Sequence, residues 1–141
     1  MKNEISFFLP MKRIPTATQQ THKVTVRNGK PQFYETPELK TARLLFRDLL
    51  ARRKPEAPLE GPVELRIVWS YPPSDMHPWG TWKTSKPDTD NLIKMVKDEM
   101  TRLGYWKDDA QVCSEWTMKV YGRQSGVLIQ AWELEEGPTN V

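Results

Sequence analysis

One cysteine, Cys113, stands in the whole 141-residue chain, so no internal disulfide can form and the fold must rest on its apolar core. Histidine is nearly as scarce. His22 and His77 both fall in expected loops with no partner at ligand spacing, which argues against a histidine-built metal or catalytic centre. Nowhere do eighteen apolar residues run together, so no segment has the length of a membrane-spanning helix. The apolar run within Met1–Pro10 is too short for a signal peptide and no small-residue cleavage site follows it, so cytoplasmic residence is the expectation. Repeats and low-complexity tracts are absent too. What remains is a hydrophilic, mildly basic chain, with net charge +3, of a length suited to one domain. Such a charge permits a phosphate-bearing partner without requiring one.

Periodicity then divides the chain. Residues 4–9 alternate and carry aromatics, a first strand stopped by Pro10. Polar residues and two prolines make Met11–Thr21 a loop. Val24–Val26 and Gln32–Tyr34 flank Asn28-Gly29, a dipeptide that favours positive φ and closes hairpins. Thr36-Pro37-Glu38 supplies a capping hydroxyl, a first-turn proline and a carboxylate at the positive end of the helix dipole. The helix it starts carries Leu39, Ala42, Leu45, Phe46 and Leu49 inward and runs to about Arg53. Val63–Tyr71 alternates as a strand with one buried face. An aperiodic segment holding Trp79, Gly80 and Trp82 reaches Pro87. A second helix follows, with Leu92, Ile93, Val96, Met100 and Leu103 on one side and Asp90, Lys94 and Lys97 on the other, and Gly104 ends it. Gln111–Tyr121 and Val127–Leu134 are expected as a long hairpin across Gly122–Gly126. The order predicts a single α/β (α+β) domain over 1–141: a mixed sheet with two main helices on one face. A loop and hairpin would occupy 10–35, a loop before the site 73–87, and a flexible tail 135–141.

Carboxylates carry the chemistry. Asp88-Thr89-Asp90-Asn91 sits where loop becomes helix, so two carboxylates in alternate positions can point at one spot. Asp108-Asp109 follows the end of the same helix. Bringing it beside Asp88 and Asp90 needs tertiary structure, since the helix between spans roughly 20 Å. A strand beginning near Gln111 and lying beside Val63–Tyr71 would be one way to carry it there. Three converging carboxylates would require a hard divalent cation, which neutralises and polarises a phosphodiester and activates water. Lys94, one turn after Asp90, would face the same site and stabilise charge in the transition state. Each feature also has a plainer reading. Asp88 is a good N-cap, Asp90 and Lys94 make an exposed i,i+4 pair, and Asp108-Asp109 suits a turn.

The stretch Lys86-Pro87-Asp88-Thr89-Asp90-Asn91-Leu92-Ile93-Lys94, with Asp98, Gly104-Tyr105-Trp106 and Asp108-Asp109-Ala110-Gln111-Val112, closely resembles the RusA-type Holliday-junction resolvases. Their signature is D-x-D-N-L-x-K, a helix, then G-[FYW]-W-x-D-D-x-Q-V, and every fixed position is matched at the same spacing. The resemblance implies a homodimeric nuclease that nicks symmetric strands of a four-way DNA junction. Its cofactor would be Mg²⁺, with Mn²⁺ as a substitute, and no small-molecule cofactor or membrane would be involved. Asp88, Asp90 and Asp109 would surround the metal, with Asp108 as a helper and Lys94 as a catalytic lysine. Asn91 matches the motif, and a polar residue of the first helical turn explains it equally well. Over residues 60–134 the match is close. Near the N-terminus it reduces to a proline and a polar loop at Pro10–Thr16. The family is common in prophages, which makes a phage recombination or packaging role the expected setting.

Lys12, Arg13, Lys83, Lys86 and Lys97 are the candidate DNA contacts, with Arg52 and Arg53 as further basic positions, although such a residue taken alone is more often a solvated surface charge. Trp79 and Trp82 beside Lys83 and Lys86 suit stacking on exposed bases or packing of the loop. Trp69, Trp116 and Trp132 are expected in core or interface, Trp106 as the anchor of the turn that aims Asp109, and Cys113 as a buried thiol. Two rival readings are a nuclease for other branched or single-stranded DNA, and a non-catalytic DNA-binding or assembly protein on the same scaffold.

Overall fold

The computed structural model describes residues 2–16 and 22–141. Its elements in chain order are β1 (Lys2–Pro10), β2 (His22–Arg27), β3 (Lys30–Glu35), α1 (Pro37–Ala51), β4 (Val63–Tyr71), β5 (Thr81–Trp82), α2 (Thr89–Leu103), one 3-10 turn (Asp109–Gln111), β6 (Val112–Tyr121) and β7 (Gly126–Glu133). The sequence reading omits β5, since two residues show no periodicity. The portion of the expected Met11–Thr21 loop at 17–21 lies outside the described residues.

Local chemistry explains the helices. Thr36 Oγ1 accepts from Leu39 N at 3.2 Å, Pro37 opens α1, and Leu39, Ala42, Phe46 and Leu50 are buried. Leu45, expected inward, is exposed, because the buried stripe is narrower than the apolar one. In α2 the buried set is Asn91, Leu92, Ile93, Met95, Val96, Glu99 and Met100. Gly104 ends it at φ 87, where a side chain would clash with the following carbonyl. Tyr105 N donates to Met100 O at 3.0 Å, so the last turn closes in the manner of a Schellman motif.

The main sheet has the order β1-β7-β4-β6-β5, and β2-β3 forms a separate ribbon closed by Asn28 and Gly29 at φ 53 and 73. The expected hairpin of the last two strands is not formed. β4 lies between them, parallel to β6 and antiparallel to β7. The turn from β6 to β7 passes over the end of β4: Gly122 N donates to Tyr71 O at 3.0 Å, and Ser70 Oγ to Gln124 O at 2.6 Å. Val63, Leu65, Ile67 and Trp69 are wholly buried, so β4 is the strand with the most to gain from the centre.

Because β6 is parallel to β4, the chain must cross over between them, and α2 makes most of that crossover. Helix and strand are therefore antiparallel neighbours. Lys97 Nζ reaches Glu115 at 3.1 Å, and Lys119 Nζ donates to the carbonyls of Ser85 and Pro87, both at 2.7 Å. The start of α2 accordingly lies at the end of β6, and the end of α2 at its start. Phe46 packs edge-on against Trp69, with ring centroids 5.9 Å apart, which joins α1 to the sheet. Among the described residues, no helix is long and apolar enough to cross a membrane.

Candidate active site

At the N-terminus of α2, Asp88 occupies the N-cap with extended backbone, yet its side chain makes no capping hydrogen bond. Asp90 follows in the first turn and is exposed. Among the described residues neither carboxylate is engaged by a hydrogen bond or ion pair. The positive end of the helix dipole suits both as anions. The loop before them is pinned by Lys119, whose two bonds to Ser85 and Pro87 fix where the helix begins. Asn91 is buried behind the pair. Lys94 sits one turn on, largely exposed, and its nearest carboxylate is Asp98, 3.5 Å away on the next turn. The i,i+4 pair expected between Asp90 and Lys94 is displaced toward Asp98.

At the other end of α2 nearly every polar group serves the turn. Tyr105 Oη donates to Leu50 O at 2.6 Å, and burial raises the phenol pKa so that it stays a donor. Trp106 is buried and its Nε1 donates to Thr101 Oγ1 at 2.7 Å. Asp108 Oδ1 accepts from Ala110 N at 2.9 Å. Gln111 Oε1 accepts from Lys107 N and Asp108 N, at 3.0 and 3.1 Å, and its Nε2 donates to Leu59 O and Gly61 O. Asp108 and Gln111 thus form a capping box. Asp109 is the carboxylate this lattice leaves out. It faces a cleft shared with Arg43, Asp98, Thr101 and Arg102.

Geometry divides the carboxylates. Asp109 shares its cleft with Thr101, which lies roughly 16 Å beyond Asp90 at 1.5 Å rise per residue. β6 does lie beside β4, but it carries Asp109 to the C-terminal end of α2 and not to Asp88 and Asp90. Among the described residues, no group of three carboxylate, histidine or cysteine side chains stands close enough to hold one metal ion.

The basic residues vary in what they offer. Lys12, Arg13 and Lys86 are exposed. Lys83 is half-buried, its ammonium 4.7 Å from the ring centroid of Tyr71 and 5.5 Å from that of Tyr121. Lys97 is held by Glu115. Cys113, expected buried, is exposed: β6 is an edge strand there, and Cys113 falls at a register irregularity between Val112 and Ser114. Trp69 and Trp132 are buried, whereas Trp116 is 47% exposed. His77 stacks on Tyr121 with centroids 4.6 Å apart.

Sequence reasoning missed one cluster. Glu99 is fully buried, and Arg47 binds it through two nitrogens at 2.8 and 3.3 Å, which raises the guanidinium pKa. Arg102 lies 3.5 Å and Arg43 3.8 Å from the same carboxylate. Arg43 also lies 2.8 Å from Glu35, an ion pair without hydrogen-bond alignment. The sequence carried a signal, because Glu99 falls on the apolar stripe of α2, where a charge demands a partner.

The family described as Endodeoxyribonuclease RusA matches residues 13–131. The chain belongs to the RusA family. A crossover junction endodeoxyribonuclease of Lactococcus phage r1t is 34% identical over 136 residues, covering 95% of this chain and all of that one. The uncharacterised protein YqaN of Bacillus subtilis (strain 168) is 28% identical over 121 residues, covering 78% and 84%. Both ends of α2 fall inside the RusA match, so the unengaged carboxylates Asp88, Asp90 and Asp109 all belong to the family's region.

Proposed function

We propose that this RusA-family chain is a divalent-metal-dependent endodeoxyribonuclease that resolves four-way DNA junctions by paired nicks, acting as a homodimer in the cytoplasm. The observation that carries the reading is selective commitment. In the two motif segments, Gly104, Tyr105, Trp106, Asp108 and Gln111 each have structural work, while Asp88, Asp90 and Asp109 have none. Carboxylates held at the surface without partners are oxygen donors suited to Mg²⁺ or Mn²⁺. When bound, such an ion neutralises the phosphodiester and lowers the pKa of a bound water. Lys94, one turn after Asp90 and largely exposed, would stabilise charge on the phosphate, and Lys83, Lys86, Lys12 and Arg13 would hold the DNA backbone. Asp108 is committed to the 3-10 turn through Ala110, so any part it takes at the centre is indirect.

The separation within one chain gives the dimer its reason. A two-fold axis beside the α2–β6 flank would set two copies of α2 antiparallel, so that Asp109 of the partner subunit meets Asp88 and Asp90. The outer edge of β6 before Val120 has no strand beside it among the described residues, which leaves that flank open. Two centres on a two-fold axis also match the symmetry of a junction cut on opposing strands.

The test is cleavage of a labelled four-way junction with Mg²⁺, comparing the native protein with Asp90→Asn and using a linear duplex as control. Paired nicks on the junction that vanish in Asp90→Asn are expected. Tight junction binding without cleavage in Mg²⁺ or Mn²⁺ would overturn the enzyme reading in favour of a binding protein. Preference for flaps or single strands would redirect it to other DNA.

A further inference from the structure

The loop leading into α2 is built as a rigid ledge. From Met76 to Pro87 it carries Lys83 and Lys86 and no carboxylate. Gly80 N donates to Tyr121 O at 2.7 Å and Lys83 N to Lys119 O at 3.1 Å, while Thr81 and Trp82 pair with Tyr121 and Val120. Thr81 Oγ1 donates to Pro78 O at 2.6 Å and closes the turn between them. Yet the loop's two indoles are turned outward, Trp79 55% and Trp82 69% exposed. An indole gains more than most side chains from burial, so core packing does not account for them.

Trp79 has a further feature. The guanidinium carbon of Arg123, from the β6–β7 turn, lies 3.9 Å from its ring centroid. One face of the ring is thereby capped by a cation, while about half of the residue remains exposed to solvent. Arg123 has no carboxylate partner among the described residues, so its charge is not neutralised where it lies over the ring.

We propose that this ledge is a base-stacking site. The exposed part of Trp79, with Trp82 three residues on, takes nucleobases left unpaired at the branch point, and Arg123, Lys83 and Lys86 hold the adjoining phosphates. Stacking on an aromatic face tolerates any base, and it is denied to bases inside a duplex, so the ledge selects DNA structure over sequence. Lys119 of β6 pins the far end of the loop at Ser85 and Pro87, just before α2, so a base held on Trp79 fixes a strand relative to Asp88 and Asp90. The substrate named here rests on the junction reading above.

The experiment measures Kd by fluorescence polarisation in EDTA, so that nothing is cut. The probes are a four-way junction, single-stranded oligothymidylate and a linear duplex, and the proteins are native, Trp79→Ala, Trp79→Phe and Arg123→Gln. Trp79→Ala should weaken the junction and the single strand about tenfold or more and the duplex by less than about twofold, with Trp79→Phe retaining most of the affinity. Arg123→Gln should fall between the two. Unchanged junction binding in Trp79→Ala, or an equal loss on linear duplex, would overturn the stacking site. Nicking by the native protein in Mg²⁺ is scored separately. Native nicking with a neutral Trp79→Ala sinks the ledge alone. A native protein that never nicks, but loses junction affinity on Trp79→Ala, sinks the nuclease and keeps the ledge.

Discussion

Glu99 and Glu133 show how much a single carboxylate can hold. Glu99 joins α1 to α2 through Arg43 and Arg47 and is wholly out of water, so its removal strands guanidinium groups against the core. Glu99→Ala should cost about 3 kcal/mol in urea denaturation, the lower end for a broken buried pair because Arg47 and Arg102 still reach solvent. Glu133 accepts from Glu60 N and from Asn3 Nδ2, both at 2.7 Å, and ties the N-terminal strand to the start of β4. Those bonds, the Glu60 amide first, hold its pKa below the ordinary 4.5 despite burial. A depressed carboxylate pKa stabilises the fold above the unfolded value and ceases to do so as pH falls through the folded value. The melting-temperature gap between native and Glu133→Gln protein should therefore be full at neutral pH and close on acidification below 4.5. A gap that widened in acid would contradict the assignment. Cys113 carries the opposite lesson: its apolar character suggested burial, but whether a strand residue is covered depends on which strand becomes an edge.

Between Gly104 and Val112 the turn after α2 uses one carboxylate for structure and leaves the next without a partner. Asp108 caps the 3-10 turn and Asp109 is left free. Asp108→Ala should lose about 1 kcal/mol of stability, as removal of a side-chain cap does. Asp109→Asn should leave the thermal melt unchanged and abolish junction cleavage. If Asp108→Ala were the silent one in stability and Asp109→Asn the destabilised one, the division drawn here would be reversed. The last two strands make a related point. Both were recognisable from their alternation, and Gly122 to Gly126 reads as a hairpin turn, yet the turn spans β4 instead. Local signals specify that the chain reverses and leave open which strand lies between.

For the whole molecule the decisive question is where the third carboxylate comes from. If each centre draws Asp88 and Asp90 from one subunit and Asp109 from the other, two dead variants should rescue each other. A mixture of Asp90→Asn and Asp109→Asn chains would form mixed dimers holding one intact centre and one doubly defective centre. Nicking of one strand of the junction is the expected result, read on a denaturing gel after the chains are mixed and refolded. If each centre lay within one chain, every centre in the mixed dimer would carry a defect and no nicking would return.

Sequence by itself determined most of the elements of this protein and the donor types at its candidate site. The cap at Thr36-Pro37, the alternation of Val63–Tyr71, the amphipathic α2 and the motif around Asp88, Asp90 and Asp109 are all local, because propensity, period and donor type act over a few residues. Tertiary structure decided the order of the strands, the burial of Glu99 among arginines, the exposure of Cys113, and the pairing of Trp79 with Arg123. It also decided that Asp109 stands at the far end of the helix from Asp88 and Asp90. Those outcomes depend on which surfaces win the core, a competition among residues far apart in the chain that no local pattern records.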